Sequence, residues 1–153
     1  MLPTQRLSPK NQVTIPREAR ALAEKSDASH LRGLLHGIPK SGSGEIFRVV
    51  LLMTEPELKR REERILADER LSGEAKVQLV TEMNGGAALM AVDAQRRIVL
   101  PPHFVAYLGL DRDVFLNSTN TTIQVWNPEH FQQWTGRDGG TVYNPALNAY
   151  LMI

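Results

Sequence analysis

The 153-residue chain has no cysteine. That excludes disulfides, thiolate catalysis and any Cys-ligated zinc or iron–sulfur centre, and it suits a reducing compartment. Long apolar runs are missing as well. The longest nearly unbroken ones, residues 49–53 and 87–92, are strand-length and far too short to cross a bilayer. The opening Met1-Leu-Pro-Thr-Gln-Arg6 contains no apolar h-region, so no secretory signal is expected. A large charge of one sign is also absent, the net being +1. Such a balance does not by itself announce a polyanionic partner, although its distribution is uneven. Residues 1–20 hold Arg6, Lys10, Arg17 and Arg20 against Glu18 alone, a local excess of three positive charges. What remains is the composition of a folded protein, 42% hydrophobic and 23% charged, long enough for one ordinary domain or two small ones sharing a core.

Signatures of catalysis are lacking too. His30, His36, His103 and His130 show no metal-ligand spacing of the His-Glu-x-x-His kind, and each reads as a surface or cap residue. Pro39-Lys-Ser41 ends like a phosphate loop, but Leu34 and Pro39 stand where that loop requires glycine. Neither a Gly-x-Ser-x-Gly elbow nor a dinucleotide fingerprint is present. No enzyme activity, cofactor or metal is expected.

Comparison of the chain with itself reveals a repeat. Gln12-Val-Thr-Ile-Pro16 and Arg97-Ile-Val-Leu-Pro101 align at an offset of 85 residues. Each is a short β-branched strand that runs into proline and follows a polar turn, Ser8-Pro-Lys-Asn11 in one and Asp93-Ala-Gln-Arg96 in the other. Proline suits a helical first turn, and helices are expected over 17–25 and 102–108. Each half then offers an apolar strand and a capped helix. In the first these are residues 49–53 and Thr54-Glu-Pro-Glu57, with capping-box spacing. In the second they are residues 122–126 and Asn127-Pro-Glu-His130, with Asn as N-cap and Pro at the first helical position.

The second copy is the more regular. Phe104, Tyr107 and Leu108 share a helical face, Gly109 is placed to end that helix, a strand starts at 114–116, and residues 117–120 read as a hairpin turn. The first copy has the lighter Ala19, Leu22 and Ala23, and residues 36–44 stretch its central turn with the flexible Pro39-Lys-Ser-Gly-Ser-Gly44. Two helices are expected between the copies, over 55–71 and 73–83, the second with Val77, Val80 and Met83 on one face. Residues 55–70 hold five Lys/Arg against six Asp/Glu, so Lys59-Arg-Arg61 reads as a solvated helix face. Trp126, Phe131 and Trp134 read as packing residues.

Lys10-Asn-Gln-Val-Thr-Ile-Pro-Arg17 resembles the strand signature of AbrB-type DNA-binding domains. The second copy, from Val92-Asp-Ala-Gln-Arg-Arg-Ile-Val-Leu-Pro-Pro102 through Leu108-Gly-Leu-Asp111 to Val125-Trp-Asn-Pro-Glu129, resembles the second repeat of MraZ proteins, which carry two AbrB-like repeats. The resemblance implies an α+β fold with a mainly β core, built of two swapped-hairpin, double-split β-barrel repeats with short peripheral helices. The repeats would span 5–70, with the insertion at 36–44, and 87–134, joined by a connecting helix in 71–86 and followed by a tail over 135–153.

It also implies a cytoplasmic, nucleoid-associated bacterial transcription regulator, linked to cell-division and wall-synthesis genes, that assembles into rings of several subunits without a membrane. Its site is an Asp-x-x-x-Arg turn in each repeat, matched by Asp93 and Arg97, with Arg96 in place of the usual glycine. The first repeat has Ser8 and Gln12 at those positions, so Lys10 with Arg6 or Arg17 would compensate.

Double-stranded DNA binding requires cations on a protruding element, with base-edge donors for specificity. Arg97, Arg96, Lys10, Arg6 and Arg17 are the candidate contacts, Asn11 and Gln12 can bond base edges, and Asp93 would orient Arg97. Two turns presented side by side would suit a major groove. The alternatives are an antitoxin-like interaction module that uses the apolar end, residues 147–153, and a paralogue that only co-assembles with a complete one.

Overall fold

Alternation of inward apolar and outward polar residues dictates short paired strands. The computed structural model, described here for residues 2–19, 29–40, 42–136 and 145–151, contains eight strands and five helices among those residues. In order they are β1 (Gln5–Arg6), β2 (Gln12–Thr14), β3 (His30–Pro39), β4 (Ile46–Met53), α1 (Glu55–Leu66), α2 (Gly73–Asn84), β5 (Ala88–Ala91), β6 (Arg97–Val99), α3 (Pro102–Leu108), β7 (Asp113–Ser118), β8 (Ile123–Trp126), α4 (Pro128–Thr135) and α5 (Pro145–Leu151). Six strands form one curled antiparallel sheet in the order β1-β7-β8-β4-β3-β5, and β2 pairs with β6 as a separate ribbon. The fold is α+β with a mainly β core, as expected.

The pairing exchanges strands between the two halves of the chain. β1 joins β7 from the second half, and β5 joins β3 from the first. At the centre β4 pairs with β8, Leu51 opposite Gln124, while in the ribbon Val13 lies opposite Ile98. Gln12 faces Val99 and Thr14 faces Arg97, the cross-match an offset of 85 residues demands.

Burial follows the two-residue period of each strand. From β4, Val50 and Leu52 point to the main core with Val13, Ile15, Ile98, Leu100, Phe104 and Leu108. Its alternate residues Phe47 and Val49 point the other way, to Phe115, Trp126 and Phe131, and Met53 meets Leu34 and Leu58. The ribbon and α3 thus cover one face of the sheet, and α1 and α4 the other. Each fully buried large side chain contributes roughly 1.5–3 kcal/mol. Gly33 is needed for this closure, because a β-carbon there would run into the Phe104 ring.

Local signals held for several elements. Asn127 caps α4 by accepting from the Glu129 N–H at 3.0 Å, and Gly109 ends α3 at φ 62°. The aromatic residues pack, with Trp126 stacked on Trp134 at 5.2 Å between ring centres and edge-on to Phe131.

Other expectations need correction. The capping box does not form: Thr54 makes no side-chain capping bond, and the Glu57 carboxylate that would reach back to it is engaged by Arg60 and Arg61. Helix α1 stops at Leu66 rather than 71, since Asp68 folds a turn by accepting from the Arg70 N–H and Ser72 then caps α2. No residue of α2 is fully buried, and Val77 is 65% exposed. Residues 36–39 do not belong to a turn: β3 and β4 pair through to Pro39 opposite Ile46. The β7–β8 turn lies over 119–122, later than expected, closed by Thr119 and Thr122. Pro16 leads into a turn over 17–18, and most of the helix expected over 17–25, from residue 20 on, lies outside the described residues.

Candidate nucleic-acid interface

The ribbon turns its two faces to different tasks. Val13, Ile15, Ile98 and Leu100 are buried beneath it, which leaves Gln12, Thr14, Arg97 and Val99 on its outer side. At each end sits a tight turn of one design. The Asp93 carboxylate accepts from the N–H groups of Gln95 and Arg97 at 2.9 and 2.8 Å, and the Arg96 N–H bonds the Asp93 carbonyl. In the other turn the Ser8 hydroxyl accepts from Lys10 and Gln12, and the Asn11 N–H bonds the Ser8 carbonyl. Ser8 therefore performs the backbone half of Asp93's role. What it lacks is a charge to hold an arginine.

The fourth residue of each turn is left-handed, Asn11 at φ 60° and Arg96 at φ 63°. Asparagine tolerates this conformation, whereas it costs an arginine about 1 kcal/mol or more. The turns are also cross-linked, Leu100 donating to the Asn11 carbonyl and Ile15 to that of Arg96. The strands being antiparallel, the turns stand at opposite ends of the ribbon rather than side by side. From strand rise, Asn11 and Arg96 lie about 14 Å apart along it.

Arg97 and Asp93 form an ion pair, Nε to Oδ2 at 2.9 Å, with side chains 42% and 38% exposed. The backbone N–H of Arg97 is the main cause of a lowered Asp93 pKa; desolvation, the next largest effect, opposes it, and the Arg97 guanidinium and the Gln95 N–H add to the lowering. Asp93 is therefore an anion at neutral pH, and its Oδ2 accepts from Arg97 Nε.

Lys10, Arg6 and Arg17 are exposed, and Gln12 and Asn11 are half-buried. Lys10 and Arg6 belong to the Ser8 end, and Arg17 to the Arg97 end. The structure does not bring all of the candidate cations to one spot. Arg96 points inward: its Nη2 donates to the carbonyls of Pro16, at 2.9 Å, and Arg17, at 3.4 Å. Outside Thr14, the Gln5 amide both donates to its carbonyl and accepts from its N–H, extending the ribbon by a side chain.

Sequence reasoning missed Arg112. It is exposed, its carbonyl accepts from the Leu7 N–H, and it borders the hollow lined by Arg6, Ser8 and Asn11. Its neighbours Asp111 and Asp113 outweigh its charge in the sequence, and only the β1–β7 pairing reveals the proximity. In Lys59-Arg-Arg61, Lys59 and Arg60 are exposed as a solvated face requires, and Arg61 is half-buried. Arg60 and Arg61 grip Glu57, and Arg61 also reaches Thr121. Burial pushes Glu57 up, yet the two guanidiniums outweigh it and its pKa is lowered overall.

Among the described residues no helix is long and apolar enough to cross a membrane, and no cluster of potential metal ligands occurs. The fold and this ribbon define a small α+β protein with exchanged strands and a cation-bearing turn.

Residues 83–139 match the family model described as "MraZ protein, putative antitoxin-like", and the chain is MraZ-like over that stretch. Relatives named Transcriptional regulator MraZ include one from Acetivibrio thermocellus, 35% identical over 51 residues, which are 33% of this chain and 36% of the relative. One from Syntrophomonas wolfei is 40% identical over 50 residues, 33% of each chain. Another, from Solidesulfovibrio magneticus, is 35% identical over 48 residues, 31% of this chain and 32% of its own. The aligned segments span about a third of those relatives' length. Their names describe a regulator and not an enzyme.

Proposed function

We propose that this chain is a DNA-binding transcriptional regulator of the MraZ type that meets duplex DNA with the outer face of the β2–β6 ribbon. The observation that carries the reading is Arg97, held by Asp93 on an otherwise uncharged two-stranded ribbon, with exposed cations beyond both ends. Arg97, Lys10, Arg17 and Arg6 serve as phosphate contacts, and Asn11 and Gln12 as donors to base edges. The chain works as two AbrB-like repeats, 5–70 and 87–134, with 71–86 as connector and 135–153 as tail. It acts in the cytoplasm, on the nucleoid. Copies assemble into a homo-oligomeric ring, which lets weak contacts act together over repeated sites. The test is titration against a random-sequence duplex pool at about 50 and 200 mM salt. Binding that weakens steeply with salt supports the reading, and no binding at the lower salt overturns it.

A second reading rests on α5, where Tyr150 and Leu151 are 83% and 72% exposed, and on the antitoxin-like description of the family model. In that reading the tail captures a protein partner. Deletion of residues 136–153 separates the cases. Loss of a co-purifying protein with DNA binding intact favours the partner reading, whereas loss of DNA binding together with the oligomer favours the ring.

A further inference from the structure

Arg96 carries an unexplained cost. It occupies the left-handed corner of the Asp93 turn, where a glycine would fit freely, and its Nε is buried without a hydrogen-bond partner. Strain of this kind persists where the surroundings hold a residue in place, and it clusters at functional positions. Here the surroundings are specific. The guanidinium Nη2 spans the carbonyls of Pro16 and Arg17, and the Arg96 carbonyl accepts from the Ile15 N–H at 2.7 Å. One residue of the second half thus ties down the exit of β2 from the first, on both its side chain and its backbone. The opposite corner has only the backbone link, from Leu100 to Asn11, and Asn11 is too short to copy the staple.

We propose that Arg96 is a positioning residue, not a phosphate contact: it clamps Pro16 and Arg17 so that Arg17 and the Asp93-held Arg97 present to DNA at one fixed spacing. The inference rests on the ribbon being the DNA-binding face and names how its stronger end is built. A clamp at this end suits an interface whose other end has lost its own Asp–Arg pair. The guanidinium that a sequence reading offers to DNA is committed to the protein itself.

The decisive comparison uses the full chain and its Arg96→Gly, Arg96→Lys and Arg97→Ala variants. Affinity for the wild type's best selected duplex is measured across a salt series, at a temperature where circular dichroism shows every variant folded. A phosphate contact contributes about 0.9 to the slope of log K against log salt. Arg96→Gly is expected to keep the wild-type slope while losing about fivefold in affinity. Arg96→Lys, which keeps the charge but not the fork, is expected to recover only part of that loss. Arg97→Ala is expected to reduce the slope by about 0.9. A similar slope reduction in Arg96→Gly, or unchanged affinity in that variant, overturns the proposal.

Amide hydrogen exchange on the same samples gives a reading independent of DNA. The Ile15 and Ala19 amides are expected to exchange faster in Arg96→Gly than in wild type, and unchanged exchange there also overturns the clamp. If the wild type binds no duplex while Arg96→Gly exchanges faster, the DNA reading has failed and the clamp alone survives as a structural contact.

Discussion

At the scale of single residues, Asp93 and Arg97 divide one task between them. On the proposed reading, replacing Arg97 by Ala removes the cation and leaves the Asp93 carboxylate uncompensated on the DNA-facing side. Affinity in a fluorescence-anisotropy titration is expected to fall about tenfold or more at low salt. The acid dependence follows from the direction of the Asp93 shift. Its pKa is lower in the folded chain than in the unfolded one, chiefly through the Arg97 N–H. The stability it contributes is therefore complete above the unfolded value and is lost as pH falls through the folded value. Carboxyl NMR is expected to place the Asp93 midpoint below that of free aspartate. The stability gap between wild type and Asp93→Asn is expected to shrink as pH drops through that range. This pair was legible through the resemblance, which implies an Asp-x-x-x-Arg turn that Asp93 and Arg97 match; the bare turn reads equally as a polar hairpin. What the sequence leaves open at Arg96 is direction, because charge alone does not say whether a side chain turns out to a ligand or back to the carbonyls of Pro16 and Arg17 that its Nη2 meets. Arg112 was invisible for the opposite reason, its proximity to Arg6 depending on pairing over a hundred residues away in sequence.

At the scale of elements, small contacts decide how closely layers approach. Phe104 from α3 lies over Gly33 of β3, and a methyl group there displaces the ring and the Met90 side chain. Gly33→Ala is expected to cost about 1–3 kcal/mol, measured by urea unfolding. Asn127 works twice, capping α4 and donating to the carbonyls of Leu108 and Gly109 at the end of α3. Asn127→Ala is expected to cost about 1–2 kcal/mol, with thermal unfolding as the check. The Asn-Pro cap and Gly109 were readable because their signals are local. The Thr54 box failed because Glu57 had better partners in Arg60 and Arg61, a choice among side chains that spacing does not reveal. The extended β3–β4 hairpin was equally hidden. Residues 36–39 look like an insertion by composition, yet Tyr107 donates to the His36 carbonyl and Lys40 to that of Gln133, which anchor the hairpin to α3 and α4.

At the scale of the whole molecule, neither half completes its own sheet. β5 needs β3, β1 needs β7, and the ribbon takes one strand from each half. A fragment of residues 87–136 is expected to pair with a second copy of itself, its β5 against the other's β7, and to run as a dimer in light scattering with size exclusion. A folded monomer would count against the exchanged pairing. Carrying both halves on one chain also has an informational consequence. A symmetric pair of identical subunits must keep its two turns identical and therefore reads palindromes. Here the two corners are free to differ, and they do: aspartate and arginine at one, serine and glutamine at the other. On the proposed reading each subunit is a pointer with a head and a foot. The sequences it selects will have a direction, and inverting a site relative to its neighbours will change how the assembled copies engage it.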